Sequence, residues 1–156
     1  MLSRKEAIEF IFDKHPGAIY VTNTGYISRA VYDLYPKNKN IFYMQGSMGL
    51  APCIGLGIAL NTNKEVIVLS GDAALLMHLG ITHTIEDRSL SNLYVYVLDN
   101  GCHESVGEFR CTELENTYLG IDDIIRISKD GKKGRVNLDC KKNTKQIKEL
   151  FNSERI

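Results

Sequence analysis

Short apolar runs rich in Ile, Val, Leu and Tyr recur along this chain, separated by stretches whose apolar positions follow helical spacing. The runs near 18–22, 41–44, 66–70, 93–98 and 135–139 predict strands, each bounded by turn-forming residues. Helices are predicted near 3–14, 27–35, 49–61, 73–86 and 144–153. The first opens on Ser3-Arg4-Lys5-Glu6, which reads as a capping box, and Ala7, Ile8, Phe10 and Ile11 form its buried stripe. Between 122 and 130 the isoleucines Ile121, Ile124, Ile125 and Ile127 fit neither period, and the leading Asp122-Asp123 pair favours a helix. The alternation of strand and helix predicts an α/β fold: a doubly wound, mostly parallel sheet with helices on both faces, built as one domain over residues 1–156.

Polar residues punctuate this pattern where two strands should end. Gly71-Asp72-Ala73 directly follows Val66-Ile67-Val68-Leu69, and Asp99-Asn100-Gly101 directly follows Leu93-Tyr94-Val95-Tyr96-Val97-Leu98. A right-handed crossover brings two such ends together, on the sheet edge where open α/β proteins bind ligands. A carboxylate and an amide oxygen are hard donors suited to Mg²⁺ or Ca²⁺, with phosphate oxygens completing the shell. The helix start after Asp72 favours the same anion, and the small Ala73 and Ala74 let phosphates approach the backbone. The plain alternative is that Asp72 only caps a helix.

Further motifs extend the pattern upstream and downstream. Thr24-Gly25 follows the first strand; Gly46-Ser47-Met48-Gly49 precedes Ile54-Gly55-Leu56-Gly57-Ile58-Ala59-Leu60; Leu75-Leu76-Met77-His78-Leu79-Gly80 follows Asp72; and Asn100 opens Asn100-Gly101-Cys102-His103-Glu104-Ser105-Val106-Gly107. In this order and spacing, over roughly Ala18 to Gly107, the chain resembles the diphosphate-binding domain of thiamine diphosphate enzymes, and within them the phosphonopyruvate and sulfopyruvate decarboxylases. The resemblance implies a cofactor, thiamine diphosphate, held through Mg²⁺ by Asp72, the side chain of Asn100 and the backbone carbonyl of Cys102. It implies that Met48 wedges between the cofactor's two rings, that the Gly46-Ser47-Met48 backbone meets the aminopyrimidine, and that Thr24, Gly25, Gly71, Ala73 and Ala74 lie along the diphosphate. It further implies decarboxylation of a small 2-oxo acid, an acidic 3-substituted pyruvate, with the thiazolium ring taking up the electrons.

In such enzymes a separate pyrimidine-binding domain contributes a glutamate to the cofactor. Only a short helix precedes the first strand here, so the expectation is a split enzyme: this chain matches the β-type subunit, and a pyrimidine-domain partner supplies the glutamate in a hetero-oligomer. Three departures from the family pattern stand out. Ala73 replaces a glycine, Asp99 replaces an asparagine, and Glu108-Phe109-Arg110-Cys111 replaces a glycine-rich stretch. They keep open a second reading, a non-catalytic or regulatory subunit that retains the fold with weak or no cofactor binding. The family also places one more strand after a helix like Thr144 to Phe151, so that edge is expected to be shorter or to come from another chain.

Charge adds an exclusion. Nineteen basic and nineteen acidic residues in 156 cancel, which gives no support to binding nucleic acid or an anionic membrane. The uncharged stretch 41–63 is interrupted by Gln45, Ser47, Pro52 and Asn61 and reads as a buried strand-turn-helix rather than a span. With no signal-peptide plan at the start and four cysteines lacking paired spacing, a reduced cytoplasmic setting is expected. Among single residues, His103 is the candidate for substrate contact or proton transfer, with a loop-stabilising hydrogen bond as its plain alternative. His78 is placed near the site, His83 on the surface, His15 at a helix end, and Glu104 and Glu108 in an exposed loop. Tyr94 and Tyr96 share a strand face and are read as packing residues.

Overall fold

A computed structural model of the protein describes residues 1–131 and 134–152. Helix α1 (Arg4–Lys14) leads into β1 (Ile19–Thr22), α2 (Tyr26–Leu34), β2 (Ile41–Tyr43), α3 (Ala51–Ala59), β3 (Val66–Gly71), α4 (Asp72–Met77), α5 (Ile81–Arg88) and β4 (Leu93–Asp99). A hairpin of β5 (Cys102–His103) and β6 (Phe109–Arg110), strand β7 (Asp123–Arg126) and helix α6 (Cys140–Asn152) complete the described chain. Five strands form one parallel sheet in the order β2-β1-β3-β4-β7. The doubly wound α/β fold expected from the sequence is therefore the observed one. Among the described residues no helix is long and apolar enough to cross a membrane.

Alternation along each strand divides the core in two. Tyr20, Ile67, Leu69, Tyr96 and Leu98 point to a layer closed by α1 and α2. Ile19, Val21, Val66, Val68 and Val95 point to a second layer closed by α3, α5 and α6. The α1 capping box is present as read: Ser3 Oγ accepts from the Glu6 N–H, and the Glu6 carboxylate accepts from the Ser3 N–H at 2.7 Å. Its buried stripe is Ala7, Ile8, Ile11 and Phe12, whereas Phe10 is exposed. Phe12 stacks between Tyr20 and Tyr35, with ring centroids 3.8 and 4.0 Å away.

Four predicted elements differ from those observed. Residues 123–126 are a strand, because Asp122 bonds to β4 instead of capping a helix: its N–H donates to the Val95 carbonyl at 2.9 Å and its carboxylate accepts from the Val95 N–H at 2.6 Å. Residues 135–139 form no strand. Val136 and Leu138 pack on the α1/α2 layer, while Tyr32 and Gln45 donate to the carbonyls of Asn137 and Leu138. The single helix predicted over 73–86 is broken at His78-Leu79-Gly80 into α4 and α5. Helix α6 starts earlier than predicted, on Asp139, whose carboxylate accepts from the Lys142 N–H at 3.0 Å.

Neither side of the sheet leaves its margin bare. Asn143 of α6, 1% exposed, offers its carboxamide to β2 as a strand would, accepting from the Tyr43 N–H at 2.8 Å and donating to the Ile41 carbonyl at 2.7 Å. On the far side Leu2 makes a parallel bridge to Ile127 and accepts from the Ser128 N–H at 2.8 Å. The additional strand considered for the region after Phe151 lies outside the described residues.

Candidate cofactor site

The order β2-β1-β3-β4-β7 reverses between β1 and β3, and a cleft of about 470 Å³, open to solvent, lies over their carboxyl ends. Asp72 ends β3 and begins α4; Asn100 follows β4, the neighbouring parallel strand. Both line this cleft with Thr24 from the turn after β1 and Met48 from the turn after β2. The spacing seen in the sequence thus becomes a juxtaposition because the two strands run parallel and in register, Gly71 opposite Leu98.

Asp72 is 4% exposed, and its Oδ2 has no hydrogen-bond partner. Burial pushes its carboxyl up, to about 6, and repulsion from Asp99 adds to the rise, while N–H groups of Ala73 and Gly101 work against it. A buried carboxylate oxygen with an unmet valence is a position that a cation relieves. Asn100 is oriented by its neighbours: its Nδ2 donates to Glu104 Oε2 at 2.7 Å, and its Oδ1 accepts from the Cys102 N–H at 3.2 Å. On either side of Cys102, the Gly101 carbonyl accepts the Cys111 N–H and the His103 carbonyl accepts the Glu108 N–H. Among the described residues no three His, Cys, Asp or Glu side chains gather to hold a metal. A cation here would draw on the Asp72 carboxylate, the Asn100 amide oxygen, a backbone carbonyl and ligand oxygens, a hard donor set of the Mg²⁺ kind.

Residues 21–148 match the family described as thiamine pyrophosphate enzyme, C-terminal TPP binding domain. The chain belongs to this family. It is 41% identical over 120 residues to the sulfopyruvate decarboxylase subunit beta of Methanothermobacter thermautotrophicus, covering 77% of this chain and 64% of that one. Against the subunit beta of Methanocaldococcus jannaschii the identity is 39%, covering 74% and 59%. Phosphonopyruvate decarboxylase of Streptomyces hygroscopicus is 44% identical over 92 residues, 59% of this chain and 23% of that protein. The chain thus spans under two thirds of these relatives. An X-ray structure of a Mycobacterium smegmatis protein described as thiamin diphosphate-dependent superposes with a TM-score of 0.62 at 19% identity, covering 73% of this chain and 24% of the other; it agrees in fold.

Within this TPP-binding domain, two of the three departures from the family pattern have local explanations. Ala73 sits in α4 with a negative φ, where a methyl group is tolerated. Asp99, 4% exposed, is bound by Arg126 from the adjacent β7 and accepts the Gly101 N–H at 2.9 Å, so its extra charge is paired. Gly71, Ala73, Ala74, Cys102 and His103 line the same cleft. Gly25, at φ +88, faces Ser105 of the loop after β5, and a Cβ there would sit 3.0 Å from Ser105 Oγ. Gly46 and Ser47 lie outside the cleft, exposed beside the groove between β2 and α6.

The Met48 turn is held rigidly. Gly49, at φ +91, packs so closely on α4 that a Cβ would lie 2.7 Å from the Ala74 carbonyl oxygen and from His78 Cδ2. Its N–H donates to Asn23 Oδ1 at 3.1 Å, so buried Asn23 ties the end of β1 to the turn that carries Met48. His78 accordingly supports the turn and does not line the cleft, and His83 is exposed as expected.

Sequence reasoning missed Asn23, Arg4, Arg126 and the burial of Glu104. Glu104, read as an exposed loop residue, is 7% exposed and faces Arg4, Asn100, Asp130 and Gly131. Glu108 is exposed, as read. No local pattern announces the Arg4–Glu104 pair, whose members are 100 residues apart. Cys102 and Cys111 are free buried thiols, both with pKa raised by burial.

Proposed function

We propose that this chain is the diphosphate-binding subunit of a split, thiamine diphosphate- and Mg²⁺-dependent decarboxylase acting on an acidic 3-substituted pyruvate, sulfopyruvate or phosphonopyruvate. The observation that carries the reading is the unpartnered, buried Asp72 Oδ2 beside the oriented Asn100 carboxamide, in a chain about 40% identical to sulfopyruvate decarboxylase β subunits. Asp72, the Asn100 Oδ1 and the Cys102 carbonyl would hold the cation, whose charge would favour the diphosphate. When bound, thiamine diphosphate supplies the carbon nucleophile and the electron sink for loss of carbon dioxide from a 2-oxo acid. The residues of this chain bind and orient it. Thr24, Gly71, Ala73 and Ala74 on the cleft wall, with Gly25 beside them, would lie along the diphosphate, and Met48, half-buried beside Gly49 and Asn23, would give the rings a wall. The Gly46 and Ser47 backbone, outside the cleft, faces the partner side. His103 lines the cleft, which supports its reading as the residue for proton transfer to or from the substrate.

A pyrimidine-domain chain completes the site with its glutamate, in a cytoplasmic hetero-oligomer. The test is calorimetry of thiamine diphosphate with Mg²⁺ on this chain alone and mixed with a candidate pyrimidine-domain chain, followed by turnover of 3-sulfo-, 3-phosphono- and unsubstituted pyruvate. Binding that appears or tightens with the partner, and turnover of an acidic pyruvate by the mixture only, is the expected result. Absence of binding in both samples would overturn it in favour of the non-catalytic subunit.

A further inference from the structure

Three chain segments that are remote in sequence meet beside Asn100, where Arg4 and Glu104 join it on the wall of the cleft. Arg4, on the first turn of α1 and 2% exposed, pairs with Glu104 through one guanidinium nitrogen and with Asp130 through another. Glu104 lies in the short 3-10 turn after β5, with its side chain 4% exposed. Its Oε1 accepts the N–H groups of Asp130 at 3.2 Å and Gly131 at 2.9 Å, and its Oε2 accepts from Arg4 and from Asn100 Nδ2. Every one of these four partners is a donor. A buried group that must accept at both oxygens is a carboxylate and nothing else among the side chains of this size. Glutamine would turn an N–H₂ toward two donors whichever way it faced.

The consequence falls on Asn100. A carboxamide is nearly symmetric in shape, so either end would fit the space, and only its partners decide which faces the cleft. With Nδ2 committed to Glu104 Oε2, the oxygen is the only end of Asn100 left to meet a cation. We infer that Glu104, itself held by Arg4, is a positioning residue that fixes the Asn100 carboxamide with its oxygen toward the cation site. Arg4 makes this possible by neutralising a charge that the low-dielectric interior would otherwise reject. Ligand orientation by a hydrogen-bonded outer residue is a general feature of metal sites. The inference rests on the reading of Asn100 as a metal ligand, but the orientation itself is testable without any metal.

Two measurements on the full chain decide it. In ¹⁵N NMR spectra of the metal-free protein, the Asn100 side-chain amide protons should be protected from solvent exchange, and Glu104→Gln should remove that protection. In calorimetry, with the partner chain if the wild type requires it, Glu104→Gln should weaken Mg²⁺-dependent thiamine diphosphate binding about 10–100-fold. Arg4→Met should do the same, and Arg4→Lys should recover part of the loss, at temperatures where thermal scans show each variant folded. A purely structural role would lower the unfolding midpoint while leaving binding by the folded protein unchanged, and that result would overturn the inference. So would fast exchange of the Asn100 amide in the wild type, a readout that stands even where the variants do not fold. Should the wild type bind no thiamine diphosphate under any condition, the decarboxylase reading fails, and the amide protection still upholds or rejects the Glu104–Asn100 link.

Discussion

The two ends of the parallel sheet treat buried polar groups in opposite ways. Toward the amino ends, on the α1 face, Lys14 donates to the Tyr96 hydroxyl at 3.0 Å, which lies 2.8 Å from His15 Nε2, and His15 Nδ1 lies 3.1 Å from the Glu65 carboxylate. Tyr20 closes the cluster by donating to the His15 carbonyl at 2.6 Å. Donors and acceptors match in sequence, so the buried His15 and Tyr96 are both satisfied, and the chain runs out to the exposed Lys14 and Glu65 at its ends. At the carboxyl ends, Asp72 keeps an oxygen without a partner and faces the charge of Asp99. The same sheet, with the same kinds of side chain, thus spends its polar groups on cohesion at one end and holds one in reserve at the other. Buried polar groups left unmet are costly, and an unmet carboxylate oxygen on the wall of an open cleft is one that a cation can relieve, unlike the unmet Tyr43 hydroxyl and Gln146 amide oxygen away from it.

Breaking each end separately should expose the contrast. Asp72→Ala should lower Mg²⁺-dependent thiamine diphosphate binding by on the order of 100-fold while the unfolding midpoint changes little, since relief of a buried, repelled carboxylate offsets the loss of its bonds from the Ala73 and Gly101 N–H groups. Calorimetry and thermal scans on the same sample check both halves, and unchanged binding would remove Asp72 from the clamp. Gly49→Ala is a mixed case: the strained φ and the overlap with the Ala74 carbonyl should cost about 2–3 kcal/mol in urea unfolding, and binding should weaken because the Met48 turn is displaced.

At the opposite end, His15→Ala should cost about 2 kcal/mol through the cavity and the lost acceptor for the Tyr96 hydroxyl, with cofactor affinity unchanged. A loss of binding in that variant would mean that the two ends are coupled. Asn143→Leu, which strips the edge of β2, should cost a similar ~2 kcal/mol and raise self-association at high concentration, read by light scattering. The smallest effect sharpens the comparison most. Asp72→Asn should stabilise the metal-free chain by about 1 kcal/mol, because its amide donates toward Asp99 where a carboxylate repels it, while binding is still lost. A destabilised Asp72→Asn protein would show that Asp72 has a structural duty as well.

Some of this was readable from the chain and some was not, for reasons that differ by residue. The strands at 18–22, 41–44, 66–70 and 93–98 were legible because buried parallel strands are short, dense apolar runs with turn residues at both ends. Asp72 and Asn100 were legible because a strand end is a local feature and the family spacing is repeated here. The strand at 123–126 was hidden, since two exposed aspartates and four scattered isoleucines satisfy no period; only the open edge of β4 makes them a strand. Residues 135–139 show the reverse, an alternating pattern satisfied by packing on a helix layer without a ladder.

By itself, then, the sequence determined the class of fold, four of the five strands of the sheet and the two polar residues at adjacent strand ends that line the cleft, all of which follow from neighbours within a few positions or from one motif's spacing. Tertiary structure alone decided that Asp99 is paired by Arg126, that Glu104 is buried rather than exposed, and that Arg4, an ordinary first-turn arginine by its sequence, joins Asn100 on the cleft wall. The Arg126–Asp99 and Arg4–Glu104 contacts join charges 27 and 100 residues apart. Such contacts leave no periodic trace, because a long side chain reaches its partner wherever the fold happens to bring it.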